Sequence, residues 1–257
     1  MSESSLSIAF VELRQIIGDF IGITRNTATW DTSQSNMVEE IIKQGIDQFY
    51  HPPAMLDPRG TGKMIYYEWS FLRPSTTIVT VAEDYDQDLP DDFGGMQGTF
   101  VYDPADYHCD IHLIGVNELN RKRVVYQGSG YPEYAAIEWK AGTGTTGQRA
   151  QVLWHPTPTA AYTLHYQYSV LSNALTTSLP YPLGGAAHRQ TIIESCKAAA
   201  EIIKFDEIGI HNQLFKDHLA KSIMLDKQNI SAEYFVQRPD KSEYEFNRIH
   251  MVNYLGA

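Results

Sequence analysis

The period of the hydrophobic pattern changes twice along the chain, and this change most constrains the fold. Near the amino terminus, Phe10, Leu13 and Ile17 recur at three- and four-residue steps, the spacing of one face of an α-helix. From about residue 64 to 170 the period falls to two, which is typical of β-strands. The helical period returns from about residue 187. We therefore expect an α+β protein with helices at both ends and strands between them.

Four helices are predicted, two near each end of the chain. Asn36 and Glu39 resemble a capping box at the start of the second helix, and His51 with the two prolines after it ends that helix. We expect the four helices to pack together as a small bundle. The predicted ranges are 6–21, 36–50, 187–205 and 209–228.

The central region contains apolar runs separated by Gly-, Pro- and Asp-rich turns, and it is predicted to be antiparallel with six to eight short strands. The candidate strands are 64–71, 76–83, 98–104, 110–116, 123–128, 134–141, 150–155 and 161–170. This predicts amino-terminal bundle helices over 1–53, a β-rich domain over 54–182, carboxyl-terminal bundle helices over 183–228 and an extended arm over 229–257.

The chain has a formal net charge of −11 over 257 residues, and six of its acids fall between residues 83 and 92. This balance argues against a general phosphate-binding surface and against a DNA-binding face. The two cysteines lie far apart in the sequence, and we expect two reduced thiols. No basic secretory leader is visible and no run of eighteen apolar residues occurs, so no membrane span is expected.

The acidic segment begins with the spacing Asp-x-Asp-x-Asp, which opens helix–loop–helix calcium sites. Such a site also needs Gly at position 6 and Glu at position 12, and Leu89 and Gly95 occupy those positions. We therefore interpret the segment as a solvated acidic loop between two strands, with a tight turn at its end. Its aspartates are Asp84, Asp86, Asp88, Asp91 and Asp92.

Three further patterns bear on possible chemistry. His108, Asp110 and His112 would point to one side of a strand and could hold zinc, but a solvent-facing strand side is the favoured interpretation. The segment 59–63 lacks the glycine and hydroxyl positions of a phosphate loop. No nucleophile elbow or zinc-protease motif occurs. We expect no enzymatic activity, no metal and no cofactor.

The carboxyl-terminal segment has aromatic and aliphatic residues scattered among polar ones, without a helical stripe. A solvated linker would be poor in aromatics. The segment could fold back on its own domain, but we favour docking into another chain. The candidate docking residues are Tyr234, Phe235, Tyr244, Phe246, Ile249, Met251, Tyr254 and Leu255.

The order of short motifs resembles the head-to-tail adaptor, or neck, proteins of tailed bacteriophages over roughly residues 8–228. The motifs are FYHPP (49–53), WSFLRP (69–74), LPDDFG (89–94), WHPTP (154–158), YTLHYQY (162–168), PLGG (182–185), Ala200-Glu201 and Asp226. The resemblance implies a helical bundle with a β domain, and a ring of usually twelve copies below the portal. It also implies that the carboxyl-terminal arm contacts the portal.

The resemblance further implies the partners of such a protein: the portal protein, neighbouring adaptor copies, and a tail or nozzle protein. Genomic DNA would pass through the channel without specific binding, because acids that face the channel repel phosphates. The protein would be made in the host cytoplasm and reside in the virion at the head–tail junction. Without an obvious exposed apolar stripe, lateral contacts between copies are expected to be polar and modest. Two alternatives remain: a β-rich carbohydrate- or receptor-binding tail module, and a metal-dependent enzyme.

Overall fold

The computed structural model describes residues 3–56, 64–106, 108–142 and 147–229. The predicted mixed α+β class is confirmed. The helices are α1 (Phe10–Phe20), α2 (Thr32–Tyr50), α3 (Val116–Val125), α4 (Arg189–Phe205) and α5 (Ile210–Asn229). The strands are β1 (Met55–Leu56), β2 (Met64–Ile65), β3 (Ser75–Val79), β4 (Asp86–Asp88), β5 (Phe93–Tyr102), β6 (His112–Leu113), β7 (Ser129–Gly130), β8 (Tyr134–Trp139), β9 (Ala150–His155), β10 (Thr157–Pro158) and β11 (Thr163–Val170).

Backbone contacts divide the chain into two compact units. One comprises residues 1–70 and 185–257 and contains four of the described helices, and the other comprises residues 71–184 and contains most of the strands. Residues 54–56 and 64–70, which the sequence placed with the β-rich region, belong to the helical unit. Among the described helices, none is long and apolar enough to cross a membrane.

Helix α2 begins four residues before the predicted capping box. Asp31 is the N-cap: its carboxylate accepts the backbone N–H of Gln34 at 2.7 Å, and the Gln34 side chain accepts the N–H of Asp31 at 3.2 Å. The capping-box prediction at Asn36 and Glu39 is therefore wrong, and both residues lie inside the helix. The polar first turn hid the true start, because it carries no apolar residue to mark the helical period.

Helices α2 and α4 approach closely at Gly45. A Cβ atom on Gly45 would lie 2.5 Å from the Cα of Cys196, so a larger residue does not fit there. The Ser195 hydroxyl donates to the Gly45 carbonyl oxygen at 2.6 Å, which satisfies a polar group in the contact. Cys196 is fully buried, and burial raises the pKa of its thiol. Both Cys109 and Cys196 are free thiols.

Asp226 of α5 anchors the segment that leads out of the helical unit. The residue is only 3% exposed, and its carboxylate accepts from the Tyr67 hydroxyl at 2.7 Å, the Ser70 backbone N–H at 3.0 Å and the Ser70 hydroxyl. Three donors offset the cost of burying the charge. The Trp69 indole donates to the Phe49 carbonyl oxygen at 2.8 Å. These contacts explain why the strand predicted over 64–71 stops at Ile65.

The break between the last two helices lies where the sequence predicts it. Helix α4 ends at Phe205, and Asp206 adopts a left-handed conformation with φ of 54°. The Glu201 carboxylate accepts the backbone N–H of His211 at 3.3 Å, and so caps the start of α5. A second carboxylate, that of Glu194, contacts the His211 ring, with 2.6 Å between Oε2 and Nδ1.

The β-rich unit contains a three-stranded antiparallel sheet in the order β3-β11-β5 and a four-stranded sheet in the order β4-β9-β8-β6. The prediction of a wholly antiparallel domain is wrong in detail, since β6 pairs parallel to β8 and β7 pairs parallel to β10. Phe100 joins the sheets: its ring centroid lies 4.9 Å from that of Trp154 and 5.1 Å from that of Tyr166.

Residues 123–128 do not form the predicted strand. They cover the end of α3 and the loop after it. The helix packs through fully buried Leu119 against Ala136 and Leu153 of the four-stranded sheet. Val124 and Val125 are 80% and 88% exposed, so the β-branched pair that suggested a strand does not face the core.

We expect Gly45→Ala to lower the free energy of unfolding by about 1–3 kcal/mol, because the new methyl group forces α2 and α4 apart. Thermal unfolding followed by circular dichroism measures the change. Gly95→Ala is the matched control, since nothing lies within 4 Å of a Cβ at that position. An unchanged melting temperature in Gly45→Ala would contradict the close approach of the two helices.

Candidate functional site

The acidic segment is part of a sheet rather than a solvated loop. Asp86–Asp88 forms β4, an edge strand that pairs antiparallel with β9, and Leu89 after it is buried. The prediction of a loop is therefore wrong for its central residues. Acids on an edge strand oppose pairing with a strand of another chain, which is a physical reason for acidic residues to flank and form this short edge.

Gln87 points inward from β4 and links the two sheets of the unit. Its side-chain nitrogen donates to the Val79 carbonyl oxygen at 2.9 Å, and its side-chain oxygen accepts from the indole nitrogen of Trp154 at 2.9 Å. Trp154 is fully buried, so its N–H group needs a partner within the protein. This double contact fixes the register of the acidic strand.

The five predicted aspartates take different roles. Asp84 accepts the backbone N–H of Asp86 at 3.3 Å and shapes the turn before β4. Asp88 forms an ion pair with Lys140, and Asp91 forms one with Arg149 at 2.8 Å. Asp92 accepts from the Tyr168 hydroxyl at 3.1 Å. The segment is consequently partly neutralised by its own unit, although exposed ion pairs of this kind stabilise little individually.

A groove of about 290 Å³ lies beside the acidic strand. It is formed where the carboxyl end of α3, the end of β9 and the residue before β4 meet. Its walls combine aromatic, basic and small residues, and none of them carries a carboxylate. The lining residues are Tyr85, Arg123, Val124, Tyr126, Gln127, Gly128, His155 and Thr157.

Arg123 is held in place from two sides. Its guanidinium carbon lies 4.3 Å from the ring centroid of Tyr85, a cation–π contact. One terminal nitrogen donates to the carbonyl oxygens of Tyr85 and Trp154 at 3.3 Å and 3.0 Å. Burial lowers the pKa of Arg123, while Tyr85 and Asp86 act in the opposite direction. The guanidinium remains cationic at neutral pH because its ordinary pKa is so high.

His155 contributes a buried imidazole to the groove. The residue is 6% exposed, and its ring contacts those of Tyr126 and Tyr134 edge-on and tilted, with centroids 6.1 Å and 6.3 Å away. Within the described part of the chain, no hydrogen bond reaches its ring nitrogens. Burial lowers its pKa, the charges of Arg123 and Lys122 lower it further, and Glu133 opposes them. His155 is therefore neutral at pH 7.

The other sequence candidates are not brought together. His108 lies 3.7 Å, centroid to centroid, from the stacked ring of Tyr131, and His112 lies exposed on β6. In the part of the chain that the structure describes, no group of three or more His, Cys, Asp or Glu residues could hold a metal ion. The predicted docking residues between Tyr234 and Leu255 lie outside the described residues.

Sequence reasoning missed the groove because Tyr85, His155 and Thr157 are distant in the sequence from the lining residues between 123 and 128. The one available signal was the run of three basic residues at 121–123 in a strongly acidic chain, followed by a tyrosine and a glycine. Interpreting 123–128 as a strand concealed that these side chains cluster at a helix end.

Replacing Gln87 by Ala is expected to lower the free energy of unfolding by about 1–3 kcal/mol, because the buried Trp154 N–H group loses its acceptor. Gln87→Glu keeps an acceptor oxygen and is expected to lose less. Asp88→Asn removes only an exposed ion pair and is the control, with little expected change in melting temperature. An equal loss of stability in Gln87→Ala and Asp88→Asn would show that the hydrogen bond from the Trp154 indole does not account for the effect of Gln87→Ala.

The stability of the β-rich unit is expected to fall as the pH drops below about 6.5, since the unfolded His155 takes up a proton that the folded one resists. In His155→Asn, the decrease in melting temperature between pH 7 and pH 5 should be smaller. His188, whose pKa burial also lowers, acts in the same direction and is retained in the variant. His112→Asn controls for removal of an exposed histidine, and identical pH slopes in wild type and His155→Asn would refute the assignment.

The site thus combines a charged edge strand, fixed by an indole–amide contact, with a groove that presents Arg123, a neutral histidine and two tyrosines. Chemically, its guanidinium and tyrosine rings are suited to holding an anionic or aromatic group. A scan against protein-family models gives no match for the chain, and a comparison with curated proteins finds no match either.

Proposed function

We propose that the chain is a structural virion protein, a head-to-tail adaptor that forms a ring below the portal of a tailed bacteriophage. In this role the four end helices form a small bundle, and bundles and β-rich units contact those of neighbouring copies. The carboxyl-terminal segment from residue 229 docks on the portal protein. A tail or nozzle protein binds the opposite side of the ring. The motif order over residues 8–228 supports this proposal, and one structural feature carries it.

That feature is an exposed apolar surface at the turn between α4 and α5. Phe205, Ile208 and Ile210 are 47%, 79% and 69% exposed, and Ile202 of the same turn region is also exposed. Neighbouring large apolar side chains in water are unfavourable unless another surface covers them. The sequence pattern showed no obvious apolar stripe and led to an expectation of polar contacts between copies. Because this turn exposes apolar side chains, the contacts proposed for this part of the helical unit are apolar.

Buried acids of α4 make polar contacts at the apolar turn. Glu194 is almost fully buried and binds His211 at 2.6 Å and Lys197 at 3.4 Å. Burial alone would raise the pKa of Glu194, but the contacts with His211 and Lys197 outweigh it and lower the pKa. The ring of Phe20 packs edge-on against His211 at 4.9 Å. A surface fixed in this way loses little conformational entropy on binding, which favours assembly.

The acidic segment supports the same proposal in a second way. Its aspartates lie on an edge strand where they block uncontrolled strand pairing, a hazard for a protein that assembles in many copies. Acids that form no direct ion pair among the described residues, such as Asp84 and Asp86, would repel the phosphates of DNA in a channel and let it slide. The ring proposal makes no use of catalysis, a metal or a cofactor.

Mixing the purified chain with the portal protein of the same virus and imaging the mixture by electron microscopy tests the proposal. We expect a second ring stacked on the portal. In Ile208→Asp the ring is expected to be lost or several-fold weaker, with the melting temperature nearly unchanged because the side chain is exposed. Truncation after Asn229 leaves all described helices intact and is expected to abolish stacking on the portal.

The control for Ile208→Asp is Leu6→Asp, since Leu6 is 70% exposed but lies before α1 and not in the α4–α5 turn. Equal assembly by wild type and Ile208→Asp would remove the apolar turn from the proposal. No added ring, even with the wild-type chain, would reject the adaptor role.

A β-rich carbohydrate-binding module is the second candidate. Trp139 ends β8 with 47% of its surface exposed, and exposed indoles stack well on sugar rings. Saturable binding of host glycans by the purified chain, lost in Trp139→Ala, would favour this function over the adaptor role.

A further inference from the structure

We propose that the groove at the carboxyl end of α3 binds a phosphate group, carried by a small nucleotide or present as inorganic phosphate. This site is independent of the proposed ring. It runs against the overall charge of −11, which by itself argues against anion binding. The proposal depends on the local donors instead, which converge on a groove whose lining residues carry no carboxylate.

The first support is the unused donor capacity of Arg123. A guanidinium carries five N–H groups. Its described hydrogen bonds, to the carbonyl oxygens of Tyr85 and Trp154, both come from one terminal nitrogen, and no hydrogen bond in the described residues uses the other two nitrogens. Because the cation–π contact with Tyr85 fixes the plane of the group, those donors are already oriented. Pre-orientation of this kind lowers the entropy cost of binding an oxyanion.

The second support is the buried imidazole of His155. The residue is only 6% exposed, it lines the groove, and its ring has no hydrogen-bond partner in the described part of the chain. A ligand oxygen in the groove would supply a hydrogen-bond partner to this ring. A neutral imidazole offers one N–H donor for that purpose.

The third support is the shape of the groove wall at Gly128. A Cβ at this position would clash with the hydroxyl oxygen of Tyr126, so only glycine lets the Tyr126 ring lie where it does. The hydroxyls of Tyr85 and Tyr126 add two donors, neither with a hydrogen bond among the described residues. Several converging donors suit the three or four acceptor oxygens of a phosphate better than the two of a carboxylate.

The size and surroundings set the class of ligand. At about 290 Å³ the groove lies at the small end of ligand sites, which fits a phosphate and one attached ring but not a polymer. The exposed faces of the tyrosines can stack on a base. Glu133 and Asp86 act on His155 and Arg123 from outside the lining. Because the attraction is largely electrostatic, binding is expected to weaken as the salt concentration rises.

The test is isothermal titration calorimetry of the full-length chain with inorganic phosphate, adenosine 5′-monophosphate and adenosine in turn. We expect saturable binding of at least one phosphate-bearing probe and none of adenosine. Tighter binding of the nucleotide than of phosphate identifies a nucleotide as the source, and equal binding identifies free phosphate. Absence of saturable binding by both phosphate-bearing probes overturns the proposal.

Two variants of basic residues locate the site. Arg123→Gln is expected to weaken binding by roughly 10–100-fold, the effect of losing charged hydrogen bonds. Arg121→Gln makes the same charge change on the same helix outside the groove lining, and its affinity should equal that of wild type. An equal loss in both variants would mean general charge attraction and would overturn the assignment.

If Arg123→Gln disturbs the fold, Tyr126→Phe tests the location of the site with a smaller change. It removes one hydroxyl and keeps the ring, so the melting temperature should be unchanged while the affinity falls several-fold. Gly128→Ala, which pushes the Tyr126 ring out of place, is expected to weaken binding in the same way. Wild-type affinity in both of these variants would overturn the location of the site.

Discussion

The close contact between α2 and α4 is the constraint on which the helical unit depends. At Gly45 the backbone of α2 lies so close to Cys196 of α4 that there is no room for a Cβ atom. The Ser195 hydroxyl adds a hydrogen bond to the Gly45 carbonyl oxygen in the same contact. Helix α1 contacts both members of this pair and α5 packs on α4. The anchor at Asp226, the capped turn at Glu201 and the exposed apolar turn all depend on α4 keeping this position.

The β-rich unit depends on a different kind of contact. A fully buried tryptophan must find an acceptor for its indole N–H, and Gln87 supplies it from an edge strand whose other residues are acidic. The same strand begins next to Tyr85, whose ring holds Arg123. The acidic edge strand and the basic groove therefore share one short segment of chain. A substitution that displaces β4 is expected to displace Tyr85 and Arg123 in the groove as well.

Much of the helical unit was predictable because α4 and α5 have regular apolar spacing and a polar break at Asp206. The start of α2 was missed because its first turn is entirely polar. Helix α3 was missed because Val124 and Val125 favour strands by propensity, while burial of Leu119 decides the structure. Strand β4 was missed because a run of acidic residues is typical of a solvent-exposed loop, although an edge strand also accommodates such residues. A run of basic residues marks one wall of the groove in the sequence, but Tyr85 and His155 join Arg123 only after the sheet has formed.

The hydrogen bond between Ser195 and Gly45 joins residues 150 positions apart in the chain, and the whole β-rich unit lies between them. During synthesis, the apolar face of α2 therefore leaves the ribosome long before α4 exists to cover it. At translation rates of about 5–20 residues per second this interval lasts roughly 8–30 s. Early α2 exposes Val38, Ile41, Ile42 and Phe49 for that time, which makes a nascent chain of this protein a substrate for chaperones that hold apolar segments. The delay is shorter for the β-rich unit, because strand β3 begins at Ser75 and both sheets are complete once residue 170 has emerged.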